Sequence, residues 1–326
     1  MSEKIAHNLY RIPIPLKGNA LKELNAYLIL GKDRNLLIDT GFNRPSCRDA
    51  LFSQLEEFGL HPGEVDVLLS HCHSDHTGLA KAVSAGKSTV YISKADERVL
   101  NSEECNKQYR DDAGVRFVRE GFPPSDIDHI WTTNPSYSMS SPHDVPHVCI
   151  EDGDILEAGG YKLKCLSMPG HTPGLMCFWE ENNGILFTSD HVLFDISPNI
   201  TAWKELPDSL GSYMDSLKHI SQYYPALCLP GHRKSGNLQQ RVAELLAHHE
   251  ARLEETLSIV KLHPGISAYE VASYLTWRTH ASSWADFPLA QKWFAVGEAT
   301  SHLMHLVFQN AVQREMVSGV ATYTAI

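Results

Sequence analysis

Apolar and polar positions along the chain follow two periods, one of strands and one of helices, and the two take turns. Residues 9–14, 25–30 and 35–39 are apolar runs of strand length, with a turn at 31–34 joining the last two. Such runs predict neighbouring strands of a sheet with one face on a core. Leu51, Leu55 and Phe58 then recur at helical spacing, with Pro62-Gly63 after the helix end. Residues 65–69 predict a buried strand, residues 77–83 the start of a helix, and residues 89–92 a further strand. The second half repeats the theme with strands at 161–166, 175–179, 185–188 and 226–229 and a hairpin turn at Asn182-Asn183-Gly184. Before the last of these strands, Leu210, Met214, Leu217 and Ile220 share one face of a helix. This alternation defines an α/β domain.

Two regions break the pattern. Residues 101–150 mix charged positions with Tyr109, Phe117, Phe122, Trp131 and Tyr137, and carry prolines at 123, 124, 135, 142 and 146. They read as an irregular insertion with one short helix over 111–120, either a lid giving a substrate pocket its apolar walls or a surface excursion packing its aromatics on the body. From residue 237 a long helix runs to about Leu262 and stops at His263-Pro264-Gly265. Ser267 can cap a helix through Leu275, a longer helix spans 289–309, and residues 317–323 close as a hairpin. The expected division is therefore a domain over 1–236 and a smaller helical unit over 237–326.

A chain of 326 residues suits about two domains, and 43% hydrophobic with 21% charged residues is ordinary for a globular protein. A formal net charge of −11 opposes general attraction to nucleic acid or anionic membrane. Residues 1–7 lack an apolar signal core and no apolar run reaches spanning length, so no membrane partner is expected. Seven scattered cysteines without Cys-x-x-Cys spacing indicate neither a disulfide scaffold nor a zinc ribbon, and a reducing cytoplasm is the expected home.

The chemistry concentrates in Ser70-His71-Cys72-His73-Ser74-Asp75-His76-Thr77-Gly78, directly after the strand at 65–69. A tight strand-to-helix loop can aim several side chains at one point, and imidazole with carboxylate suits zinc, iron or manganese. Cys72 alternates with its histidine neighbours and is expected to point away as a small buried hydrophobe. Neither a Gly-x-Ser-x-Gly nucleophile nor a phosphate-binding or dinucleotide glycine motif is present.

His-x-His-x-Asp-His resembles the signature of the metallo-β-lactamase-fold hydrolases, with a ligand set like that of glyoxalase II. The likeness extends to Gly170-His171-Thr172, Ser189-Asp190-His191 and Gly231-His232, and to an early Asp39-Thr40-Gly41, over about residues 8–235. It implies a four-layer αβ/βα sandwich with a dinuclear site at the edge between two sheets. By the resemblance His71, His73 and His171 hold the first of two divalent metals, and Asp75, His76 and His232 the second. Asp190 bridges them, and Asp39 orients a ligand histidine. Zinc is the first expectation, with iron or manganese the alternatives.

Two positions depart from the family's pattern. Ser189 stands where glycine is frequent, at little expected cost unless that backbone needs a positive φ. Arg233 follows His232 in place of another glycine, and is read either as a contact to an anionic substrate or as a surface side chain. His191 is either a substrate contact or a packed neighbour of the site. The tail resembles the winged helix of one subgroup. Residues 251–326 carry five basic against six acidic side chains, a poor footprint for duplex DNA, so the tail is read as a pocket wall or a homodimer contact.

The leading expectation is a dinuclear metal hydrolase in which a metal-activated water attacks an ester, thioester or lactone carbonyl of a small acyl substrate. Asp75 and Asp190 take part in the chemistry. The alternatives are a metal-dependent single-strand ribonuclease or phosphodiesterase, a diiron oxidoreductase and a non-catalytic metal-holding scaffold.

Overall fold

The structure, a computed structural model, describes residues 1–278 and 281–326. Seven strands form the first sheet in chain order: β1 (Glu3–Ala6), β2 (Leu9–Pro15), β3 (Glu23–Ile29), β4 (Leu36–Ile38), β5 (Asp66–Leu68), β6 (Val90–Ser93) and β7 (Val148–Ile150). Pairing is antiparallel through β4 and parallel from β4 to β7, where helices carry the chain between strands. The second sheet has five: β8 (Ile155–Ala158), β9 (Tyr161–Ser167), β10 (Met176–Glu180), β11 (Ile185–Ser189) and β12 (Leu227–Pro230).

Side chains of period two decide how these sheets stack. In β3, Tyr27 and Ile29 point into a core shared with Phe178, Phe187 and Leu163 of the second sheet. Leu24, Ala26 and Leu28 point the other way, into a core under α1 (Pro45–Glu56), α2 (Ser74–Thr77) and α3 (Ala80–Ser84). In the second sheet, Cys177 and Leu186 leave the shared core for a third one. Both faces of both sheets are thus covered, which gives the four αβ/βα layers expected from the resemblance.

The insertion is more ordered than its composition suggested. α4 (Glu103–Arg119) starts eight residues before the helix expected at 111–120 and is followed by α5 (Ile127–Thr133) and α6 (Pro135–Ser138). The Ser102 hydroxyl caps α4 by accepting from the Cys105 amide at 3.3 Å, and Glu103 and Glu104 meet the positive end of the helix. Its first half is polar because it is exposed. Only Ala113, Gly114 and Phe117 are buried, so hydrophobic period carried too little signal.

After α7 (Ser209–Ile220) and β12 come α8 (Leu238–Leu262), α9 (Ala268–Tyr274), α10 (Leu289–Phe308) and a hairpin of β13 (Val312–Val317) and β14 (Val320–Ala325). Ser318 and Gly319 both have positive φ, as a two-residue hairpin turn requires. Val242, Val260, Val296, Leu303 and Tyr323 join Met168, Leu186 and Leu217 in one apolar core, which runs across the expected boundary at 236. No helix among the described residues is long and apolar enough to cross a membrane.

Candidate metal centre

Each candidate ligand lies just past the carboxyl end of a strand. His71 and His73 follow β5, His171 follows β9, Asp190 follows β11 and His232 follows β12, while α2 presents Asp75 and His76 on one turn. Three imidazole nitrogens converge. His73 Nδ1 lies 3.1 Å from His71 Nε2 and 3.0 Å from His171 Nε2. A proton can bridge one such pair, whereas a cation satisfies all three lone pairs together.

The second group is His76, His232, Asp75 and Asp190. His232 Nε2 lies 3.3 Å from Asp75 Oδ2 and 3.5 Å from Asp190 Oδ2, and His76 Nε2 lies 3.6 Å from Asp190 Oδ1. Asp190 Oδ2 is also 3.8 Å from His171 Nε2, so this carboxylate faces both groups. His76 Nε2, His232 Nε2 and Asp190 Oδ1 are buried without a hydrogen-bond partner. Buried polar atoms left in that state are costly, and their convergence on one space fits a cation there. Gly231 keeps the space open, since a Cβ there would lie 2.4 Å from Asp190 Oδ1.

The opposite nitrogen of four histidines is held from behind. His76 Nδ1 donates to Asp39 Oδ2 at 2.7 Å, His171 Nδ1 to the Asn199 carbonyl at 2.9 Å and His232 Nδ1 to the Glu23 carbonyl at 2.7 Å. His71 Nδ1 lies 3.0 Å from the Ser70 hydroxyl. These bonds fix the tautomer and aim Nε2 at the centre. Asp39 has φ of 62°, Ser189 46° and Arg233 61°, so three loops at the site adopt the left-handed backbone with a side chain present. Ser189 therefore does occupy a backbone that favours glycine. Its hydroxyl donates to Ser70 Oγ at 2.7 Å, a bond glycine lacks, and this offsets part of the strain.

The electrostatics match a ligand set. Burial, with His76 alongside, holds His71 well below the usual imidazole range, and burial beside His171 pushes His73 down to about 3. His171 is also lowered, chiefly by burial. Burial alone would raise the carboxyls, but His76 and His232 bring Asp75 down to about 2 and hold Asp190 well below the carboxylate range. Neutral imidazoles and ionised carboxylates are the states that metal binding needs. Burial opposes charge on His76 and His232, yet Asp39 and Asp190 lift His76 well above the usual range, and Asp190 with Asp75 brings His232 to about 10. With protons alone to balance the carboxylates, these two rings take them. A divalent ion would replace those protons.

His191 and Arg233 stand apart. His191 is fully buried, packs edge-on against Tyr213 at 5.3 Å and does not line the cavity described below. Arg233 donates to the Ala20 carbonyl at 2.8 Å, which ties two loops. Cys72 points away from the ligand nitrogens, with Arg98 Nη2 at 3.4 Å from its sulfur. One structural residue escaped the sequence reading. Asp96, fully buried, accepts from Cys72 N at 2.9 Å, Thr172 Oγ1 at 2.6 Å and Gly174 N at 3.0 Å, and so joins the two loops that carry His71, His73 and His171. No motif marks it, because its partners, two backbone amides and a threonine hydroxyl, lie far away in sequence.

The profile of the metallo-beta-lactamase superfamily matches residues 23–232. The chain belongs to this superfamily. A metallo-beta-lactamase family protein from Thermus thermophilus is 27% identical and superposes with a TM-score of 0.82 over 99% of this chain and 100% of that one. The likeness to that protein thus includes the C-terminal helices and hairpin. Lactamase-like protein adaB of Aspergillus niger is 28% identical over 265 residues, covering 79% of this chain and 66% of that protein. The atrochrysone carboxyl ACP thioesterase of Emericella nidulans is 25% identical over 256 residues, covering 78% and 65%. The chain spans about two thirds of the length of these curated relatives.

Proposed function

We propose that the protein is a metal-dependent hydrolase of an ester, thioester or lactone with an apolar acyl group. One observation carries this reading. His73, Asp75, His171 and Asp190 open into a cavity of about 440 Å³ whose walls include Tyr109, Phe117, Tyr137, Trp203 and Trp293. Burying an acyl chain against such walls contributes about 25 cal/mol per Å² of apolar surface. The thioesterase among the relatives supports a thioester.

His71, His73 and His171 would hold one divalent ion and Asp75, His76 and His232 a second, with Asp190 between them. Zinc suits these donors first, and iron or manganese also fit. Bound there, the ions would supply Lewis acidity and a water of lowered pKa. The chain itself contributes positioning. Asp75 and Asp190, kept ionised, accept hydrogen bonds from the attacking water and hold its orientation. Trp203 Nε1 donates to the His171 carbonyl at 3.1 Å and fixes that loop, while the aromatic walls exclude bulk water from the acyl group. The C-terminal unit acts in this reading as a wall rather than a DNA surface. Trp293 of α10 stacks on Phe117 with centroids 3.5 Å apart, and Arg314 is taken up by Glu120 at 2.8 Å.

The test is paired. Elemental analysis of protein purified without chelator should give about two equivalents of divalent metal per chain, and Asp190→Asn should lower that number and abolish acyl hydrolysis while the fold survives. Cleavage of single-stranded RNA that depends on Asp190, with no hydrolysis of acyl thioesters of any chain length, would overturn the reading.

A further inference from the structure

The sequence places Arg110, Arg116 and Arg119 beside Asp111, Asp112 and Glu120, acids close enough in the chain to offset their charge. The fold separates the signs. Asp112 turns to Lys204 at 3.1 Å and Gln108 at 3.0 Å, and Asp111 is exposed. Glu120 is buried beneath the C-terminal hairpin, where it accepts from Arg314 at 2.8 Å and from the Tyr323 hydroxyl at 2.7 Å. Arg110 and Arg116, by contrast, line the aromatic cavity. No carboxylate lies within 4.0 Å of either guanidinium among the described residues.

Arg98 gives the contrast that makes this informative. It also lines the cavity, but its Nη1 has Asp96 at 3.8 Å, and its guanidinium lies over Tyr109 at 4.1 Å and Trp203 at 5.2 Å. Its charge is met. Arg116 has only a weak bond from Nη1 to the Ala202 carbonyl at 3.5 Å, and its Nε is buried without any partner. A cation on an apolar wall with an unpaired N–H is costly unless something anionic comes to it. The two carboxylates in the same cavity, Asp75 and Asp190, belong to the metal centre and cannot serve. Ala202 is the neighbour of Trp203, whose ring lies 6.2 Å from that of His73, so the free guanidinium borders the wall next to the reacting centre.

We propose that Arg116, with Arg110 on the same cavity wall, forms an anion-binding subsite, so that the substrate carries a carboxylate or phosphate as well as an apolar acyl group. This rests on the acyl-hydrolase reading. Guanidinium matches both groups by paired N–H donors, and the aromatic walls favour one anionic group on an organic body over a phosphate chain.

Two measurements test it, one of them independent of turnover. The first compares kcat/KM on four thioesters of equal acyl length. The acyl end is methyl or carboxylate, and the thiol is N-acetylcysteamine or coenzyme A. We expect the wild type to prefer one anionic arm over its neutral partner by about tenfold or more. Arg116→Gln should collapse that ratio and Arg116→Lys should restore part of it. A preference for the carboxylated acyl end assigns the anion to the acyl group, and one for coenzyme A assigns it to the leaving arm. The second measurement follows binding of adipate and of phosphopantetheine to the metal-replete protein by calorimetry. Affinity for one of them should drop about tenfold in Arg116→Gln, with less loss in Arg116→Lys. Equal wild-type rates on charged and neutral thioesters, or probe binding that Arg116→Gln leaves unchanged, would overturn the subsite. No hydrolysis of any thioester, with Arg116-dependent probe binding intact, would overturn the acyl-hydrolase reading and keep the subsite.

Discussion

Asp39 Oδ2 lies 2.7 Å from His76 Nδ1, and this one contact decides which nitrogen of His76 faces Asp75 and Asp190. The same carboxylate accepts from the Ser70 amide at 2.9 Å and the Ser70 hydroxyl at 2.8 Å. Asp39→Asn offers one acceptor oxygen where two are used, and its amide would face a donor. Metal affinity at the His76 side should fall about 10- to 100-fold with the fold retained. Chelator competition followed with a zinc indicator measures this. An unchanged affinity would mean that Asp39 serves the turn alone.

Asp96 is expected to matter more for stability. Asp96→Ala leaves Cys72 N, Thr172 Oγ1 and Gly174 N without their shared acceptor around a fully buried position. Each buried donor left unpaired costs about 1–3 kcal/mol, so a loss of at least ~3 kcal/mol is expected by urea denaturation. Thr172→Val removes one of the three bonds and should cost about 1 kcal/mol. Equal losses for the two variants would show that Asp96 does not join the loops.

How far the sequence carried differs between the ligands and their surroundings. His71, His73, Asp75 and His76 are legible because four donors fall within six residues after a buried strand. His171, Asp190 and His232 are not legible from spacing, since only the order of strands brings them together, and the resemblance supplied them. Asp96 was missed for a related physical reason. A single charged residue reveals its role through partners far away in the chain or through the absence of any. The length of α4 was hidden because solvent covers its first half, whereas the apolar run at 25–30 announced a strand, which the structure buries on both faces where one was expected. Ser189 shows a third limit, because a left-handed backbone held by a serine leaves no mark in the residue type.

The seam between α8 and α10 should make the fold sensitive to mild acid. His302 Nδ1 donates to the Glu298 carbonyl at 2.8 Å, so its Nε2 accepts from His249 Nδ1 at 3.2 Å. Both rings are buried and neutral in this arrangement. Burial, with Arg252 nearby, pushes His302 down to about 3, and burial next to His302 lowers His249 well below the usual range. Burial also brings His191 to about 3. The sign follows from proton counting. Below about pH 6.5 the unfolded chain binds protons on these rings that the folded chain refuses, so stability is fully present above that pH and falls as pH drops towards 3. Each ring contributes at most about 1.4 kcal/mol per pH unit inside that window. Urea midpoints should therefore decline between pH 6.5 and 5, where carboxylates of ordinary pKa are still largely ionised. His302→Gln keeps a donor and an acceptor at the seam but cannot titrate. The variant should be less stable than the wild type at pH 7.5, yet lose less on going to pH 5. If both proteins decline with the same slope, the acid sensitivity comes from elsewhere, and the His249–His302 bond is ordinary packing.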